Sequence, residues 1–207
     1  MIDTTIVEEK QPSDYFLFVE KAQTAAAVVS EIANFEEAVD YAIDLCGKKE
    51  RTRYVIGDDK EGGTSQTKTI AAPALSGNEY ELLSRKCTQA GFECLSGSMR
   101  KQLSGVDIGF SYGDIGIAET GTIVMNCPDE ELRLATMICE YHVCIIHKSK
   151  IVSDGFAAEN QLQEFMLDAP NYTAFITGPS RTADIERVLT IGVHGPLELH
   201  ILVLEDE

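Results

Sequence analysis

Apolar runs and amphipathic stretches alternate along this chain, most clearly in its second half. Thr122 to Met125, Tyr141 to Ile146, Thr173 to Thr177 and Leu199 to Leu204 are short, apolar and rich in β-branched residues, which reads as buried strands. Between them, residues 130–139 (after Pro128-Asp129), 156–167 and 181–190 place apolar side chains at helical spacing. In the first half, Ser13 or Asp14 caps a short helix carrying Phe16, Leu17 and Val19. Asn34 followed by Glu37 forms a capping box ahead of Phe35, Ala38, Val39, Ala42 and Cys46, with Gly47 to end that helix. Asn78 and Glu81 open another helix, with Leu82, Leu83, Cys87 and Ala90 on one side and Gly91 as its stop. Tyr54 to Ile56, Phe92 to Leu95 and Val106 to Phe110 are further strand candidates, and Ala25 to Val29 suits either helix or strand. Residues 58–78, with Gly62-Gly63, Pro73 and Gly77, read as a long mobile connection. A polar, flexible N-terminus is expected over 1–13 and one domain over 14–207. Strands alternating with helices predict an α/β fold: an open, mostly parallel sheet with helices on both faces. Ligands of such sheets bind outside the carboxyl ends of the strands.

Composition narrows the function. A chain of 207 residues, 44% hydrophobic and 25% charged, can bury one sizeable core. The formal net charge of −17 repels phosphate backbones and anionic lipid, so no nucleic-acid partner is expected. An anionic ligand would need local positive charge or oriented amides to overcome that field. No apolar run approaches the ~18 residues of a membrane span, and Met1 to Lys10 lacks an apolar secretory core. The expectation is a cytoplasmic protein without membrane insertion. Six cysteines scattered among apolar neighbours read as reduced packing residues. On a strand over 141–147, His142 and Cys144 share one face and His147 the other, fewer than the three protein ligands zinc takes. There is no CxxC run and no GxGxxG, so neither metal nor cofactor is expected.

Three segments could carry chemistry. In Thr177-Gly178-Pro179-Ser180-Arg181-Thr182-Ala183-Asp184-Ile185-Glu186 a strand ends in a Gly-Pro turn and a helix is predicted to follow. Ser180 or Thr182 would cap it, and its first amides together with Arg181 would suit an anion. The plain alternative is a strand–turn–helix in which Asp184 and Glu186 already answer the helix dipole. Gly116-Ile117-Ala118-Glu119-Thr120-Gly121-Thr122 is a corner of small residues with one carboxylate. Glu119 could be a base, a nucleophile, a clamp, or a solvated turn residue. In Gly192-Val193-His194-Gly195-Pro196 a tight loop holds a histidine whose ordinary pKa suits proton transfer, or that is simply hydrogen-bonded in its loop.

Taken together, in order and spacing, Ile117 to Thr122, Gly178 to Glu186 and Gly192 to Pro196 resemble the signature of the lactate utilization protein C family, the LUD-domain proteins. The resemblance covers residues 105–207, and the first half fits in general layout. It implies a fold like the sugar-phosphate isomerase and CoA-transferase superfamily (NagB/RpiA/CoA-transferase-like). It also implies a role in bacterial oxidation of L-lactate to pyruvate, with separate iron–sulfur proteins as partners. On the matching strings it points to Glu119 and His194 as catalytic. Thr120, Gly121, Thr122, Gly178, Pro179, Ser180, Arg181, Thr182, Asp184 and Gly195 would bind ligand. Members often carry a Leu-Pro pair shortly before the histidine that opens the next strand. Met137-Ile138-Cys139-Glu140-Tyr141-His142 has no proline, so that loop is expected to differ. Three functions follow: an accessory component of lactate oxidation binding a small carboxylate or a partner protein at a strand-end crevice; a CoA-transferase-like enzyme taking acyl-CoA, with Glu119 as nucleophile; and a non-catalytic assembly or regulatory subunit.

Overall fold

A computed structural model describes residues 13–50, 67–102, 105–167, 171–183 and 188–206. The central sheet holds β1 (Val28–Ile32), β2 (Thr69–Ala71), β3 (Glu93–Leu95), β4 (Val106–Tyr112), β7 (Cys139–His147) and β12 (Glu198–Leu204). Its order is β1-β12-β7-β4-β2-β3, and every neighbouring pair is parallel. Side chains alternate across each strand. Tyr141, Val143 and Ile145 of β7 therefore join the core under helices α2 (Phe35–Lys48) and α3 (Gly77–Ala90). Cys144 and Ile146 face the other way, into a core shared with α1 (Asp14–Thr24). Helix α4 (Glu130–Ile138) lies on that second side too, where the bare Cα of Gly109 lets the Ala135 carbonyl approach. The expected parallel sheet with helices on both faces is thus what the chain builds.

A second sheet, β8-β5-β6-β9, was not expected from the pattern. It contains β5 (Ile115–Ile117), β6 (Thr122–Cys127), β8 (Ile151–Val152) and β9 (Tyr172–Ile176), with β6 antiparallel to both neighbours. One face gives Ile123, Met125 and Cys127 to the core against β7 and β12. The other gives Ile115, Ile117 and Val124 to a small cluster under α5 (Glu159–Leu167).

Two expectations are corrected. The long connection over 58–78 contains β2, whose three residues are all buried inside the sheet. A tripeptide is too short to show a period. This one is held by the buried Asp107 carboxylate, which accepts from the Thr69 amide at 2.7 Å and the Thr69 hydroxyl at 3.1 Å. The helix expected over 181–190 does not start at Arg181. Instead β10 (Arg181–Thr182) pairs antiparallel with β11 (Thr190–Ile191). The strand expected over Tyr54 to Ile56 and the flexible residues 1–12 lie outside the described residues. The capping box at Asn34 is present: Asn34 Oδ1 accepts from the Glu37 amide at 3.0 Å, and Glu37 Oε2 accepts from the Ala33 amide at 2.8 Å.

The ambiguous stretch after α1 is a turn followed by β1. Its Ala26 has φ +69°, a conformation that costs an alanine roughly 1 kcal/mol relative to glycine. Ala26→Gly is therefore expected to hold or raise stability, by up to about 1 kcal/mol, in urea unfolding.

Candidate functional site

A pocket of about 290 Å³ opens between α4, the first halves of β7 and β12, and strand β9. Its floor is His142 and Leu199, which are register partners on β7 and β12. One wall is α4, where Arg133, Thr136 and Met137 stand at positions i, i+3 and i+4 and so share a helix face. The opposite wall is Tyr172, Ala174 and Ile176 of β9. The rim is made by two turns, Thr177 to Ser180 and His194 to Pro196. Because β7 begins where α4 ends, the pocket lies toward the amino ends of the parallel strands. Sequence reasoning had looked to their carboxyl ends.

His142 is 1% exposed. Its Nε2 sits 2.8 Å from the Ser111 hydroxyl of β4. Its Nδ1 has no hydrogen-bond partner, the one buried side-chain nitrogen or oxygen in that state among the described residues. Burial, with a smaller contribution from nearby His200, pushes the imidazole pKa down to about 4, so the ring is neutral at pH 7. Ser111 then sets the tautomer, since a hydroxyl can give its proton to Nε2 or accept one from it.

Arg133 supplies positive charge at the same pocket. Its guanidinium stacks over the Tyr172 ring at 5.0 Å and donates Nη2–H to Glu130 Oε1 at 3.1 Å. Glu130 is also gripped by Arg100 through both carboxylate oxygens. One carboxylate thus serves two guanidiniums, and Arg133 keeps most of its five donors for something else.

The rim is tightly built. The Ser180 amide donates to the Pro196 carbonyl at 2.9 Å, and the Gly192 amide to the Ser180 carbonyl at 2.9 Å. A Cβ on Gly195 would come within 3.1 Å of Ser180 Cβ. The helix start expected to leave the amides of 178–182 free for an anion is not formed. No helix begins there, the Ser180 amide is taken by Pro196, and residues 181–182 belong to a hairpin.

Of the residues singled out from sequence, Gly178, Pro179, Ser180, His194 and Gly195 line the pocket, while Glu119, Thr120, Gly121, Thr122, Arg181 and Thr182 do not. Asp184 lies outside the described residues. Arg181 is exposed on β10. Glu119 is exposed on the corner between β5 and β6, its amide donating to the Ser153 carbonyl at 2.9 Å. The two glycine corners nevertheless meet. Thr120, Thr122 and Thr177 hydroxyls form a chain with 2.7 Å steps, and Gly121 and Gly178 both press on the end of α1. His142, Arg133 and Thr136 escaped sequence reasoning as site residues. The available signal was a histidine in the middle of an otherwise apolar strand, which had been weighed only as half of a metal pair. Among the described residues no group of three or more His, Cys, Asp or Glu could hold a metal ion, and no helix is long and apolar enough to cross a membrane. The cysteines form no disulfides, and five of the six are buried.

The LUD domain family model matches residues 16–204, and the chain belongs to that family. It is similar to lactate utilization protein C of Shouchella clausii, 29% identical over 182 residues, which cover 86% of this chain and 72% of that protein. Lactate utilization protein C of Anoxybacillus flavithermus is 37% identical over 100 residues, 48% of this chain and 44% of that one. The uncharacterized protein YkgG of Escherichia coli is 27% identical over 199 residues, 91% of this chain and 78% of that one. A crystal structure of a DUF162 family protein from Deinococcus radiodurans has the same fold, with a TM-score of 0.61 and 17% identity, covering 92% of this chain and 96% of that one.

Proposed function

We propose that this chain serves lactate utilization by holding a small carboxylate, such as lactate or pyruvate, in the pocket between α4, β7, β12 and β9. The observation that carries this reading is a neutral imidazole, buried and with one nitrogen unpartnered, in a recess that also presents the Arg133 guanidinium. In a chain of net charge −17 an anion needs such a local cation. The guanidinium matches a carboxylate through paired N–H donors, while Ala174, Ile176 and Leu199 supply an apolar wall for the carbon chain. The volume equals about ten water molecules at about 30 Å³ each, ample for a small organic acid with residual solvent. Proton handling falls to His142 and to His194 at the rim, and the redox groups belong to iron–sulfur partner proteins, as the sequence resemblance implies.

Calorimetric titration of L-lactate and pyruvate tests this. Arg133→Ala is expected to weaken binding at least about tenfold, because the carboxylate loses a charge-assisted pair. Arg181→Ala is expected to leave binding unchanged, since that side chain is outside the pocket. No heat from the wild-type protein at millimolar acid would remove the reading. An effect of Arg181→Ala alone would return the site to the hairpin.

A further inference from the structure

A histidine buried in a strand usually satisfies both ring nitrogens, because an unpaired polar atom away from water is costly. His142 satisfies only one. Its Nε2 is held by Ser111, its buried Nδ1 has no partner, and the residue itself lines the pocket. We propose that this nitrogen reads an oxygen on the carbon adjacent to the ligand carboxylate, so that the pocket selects 2-hydroxy and 2-oxo acids over plain carboxylates, with Ser111 as the positioning residue that sets the imidazole tautomer. This rests on the carboxylate reading above and goes beyond it by assigning the group that discriminates.

The chemistry follows from the inventory of donors. The Ser111 hydroxyl has His142 Nε2 at 2.8 Å and the Met125 sulfur at 3.9 Å within reach, with the Cys144 thiol also beside it. With its proton on the line to Nε2, the ring proton sits on Nδ1, which then donates to a 2-oxo oxygen. With its proton turned toward Met125, Ser111 accepts from Nε2–H instead. Nδ1 then offers a lone pair, which accepts from a 2-hydroxyl. Turning that hydroxyl, together with a tautomeric shift in which Nδ1 gives its proton to solvent and Nε2 takes one up, therefore suits the site to either oxidation level of the same acid. A carboxylate with hydrogen at that carbon offers neither group and leaves Nδ1 unpaired. Sites built to hydrogen-bond a ligand hydroxyl reject analogues lacking it for this reason.

The test compares L-lactate, pyruvate and propanoate by calorimetry on the full chain. Wild type is expected to bind the two oxygenated acids at least about tenfold more tightly than propanoate. His142→Leu should bring all three to similar affinities. Ser111→Ala should alter the ratio of lactate to pyruvate affinity without moving propanoate. A second readout needs no variant. In protein labelled with ¹⁵N at its four histidines, saturating lactate or pyruvate should shift the buried Nδ1 resonance, and propanoate should not. Equal affinity of the three acids in wild type, with binding still lost in Arg133→Ala, overturns this inference and leaves the carboxylate reading standing. An Nδ1 resonance unmoved by saturating lactate and pyruvate overturns it too. Absence of binding by all three acids overturns both.

Discussion

Gly121→Ala is expected to destabilise the protein by about 3 kcal/mol or more, among the largest effects of any single methyl addition in this chain. The φ of Gly121 is +64°, which alone costs an alanine roughly 1 kcal/mol. The added Cβ would lie 2.1 Å from the Ala22 amide nitrogen and 2.5 Å from the Lys21 carbonyl carbon. Both are backbone atoms of α1, so relief requires moving the helix rather than turning a side chain. Moving it disturbs the core held by Phe18 and Ala22, both fully buried. Gly178→Ala should behave alike, with φ +69° and a Cβ 2.0 Å from the Ala25 carbonyl oxygen. Because both corners bear on one helix end, the double variant should cost less than the sum of the two, since the first displacement already makes room for the second. Gly91 is the control. Its φ is +77° but nothing lies within 4 Å of the added Cβ, so Gly91→Ala should cost only about 1 kcal/mol. Urea unfolding of the four variants gives the comparison. A loss at Gly121 no larger than at Gly91 would mean that the corner does not pack on α1.

Acid should weaken the fold through His142 well above the carboxylate range. Burial holds the folded-state pKa near 4, against about 6.5 in an unfolded chain. Above pH 6.5 both states leave the ring neutral and the shift has no effect. As pH falls below that value the unfolded chain binds a proton that the folded chain refuses, so stability is lost from about 6.5 down toward 4. Between pH 7 and 5 the loss from this one group is about 2 kcal/mol. His200, also lowered by burial first, adds a loss of the same sign. Ser111 and His200 act on the ring, and Arg133 and His194 line the same pocket, so the His142 part must be isolated by difference. Unfolding midpoints of wild type and His142→Leu at pH 7, 6 and 5 do this: the wild-type curve should fall more steeply. Parallel curves would show that the imidazole is not held neutral.

The two predictions rest on features that differ in how far a sequence can announce them. The glycine corners were visible, because a left-handed backbone or a close approach demands glycine locally whatever surrounds it. What Gly121 and Gly178 press against was not visible, since the end of α1 lies 99 residues before Gly121 and 153 before Gly178 and touches them only in the folded chain. The same division runs through the fold. Helix α2 and strands β7 and β12 declare themselves by cap, period and length within a few residues. Strand β2 declares nothing, because its place is secured by an Asp107 carboxylate 38 residues on. Arg181–Thr182 and Thr190–Ile191, the two ends of a stretch with helix-like spacing, pair as strands instead, and pairing overrode the propensity at those positions.

From its sequence alone this protein was determined to be an acidic α/β domain with two glycine corners and a histidine loop of the LUD type, since composition, period and turn chemistry act over short distances. Only the tertiary structure decided that the pocket opens toward the amino ends of the strands, and that its cation is Arg133 rather than Arg181. It also decided that His142, weighed from sequence only as one of a pair of metal ligands, lines that pocket with a buried nitrogen left unpartnered. Those facts depend on how α4 lies across the sheet and where β9 closes against it, and a helix packing against a strand leaves no periodic mark in either segment.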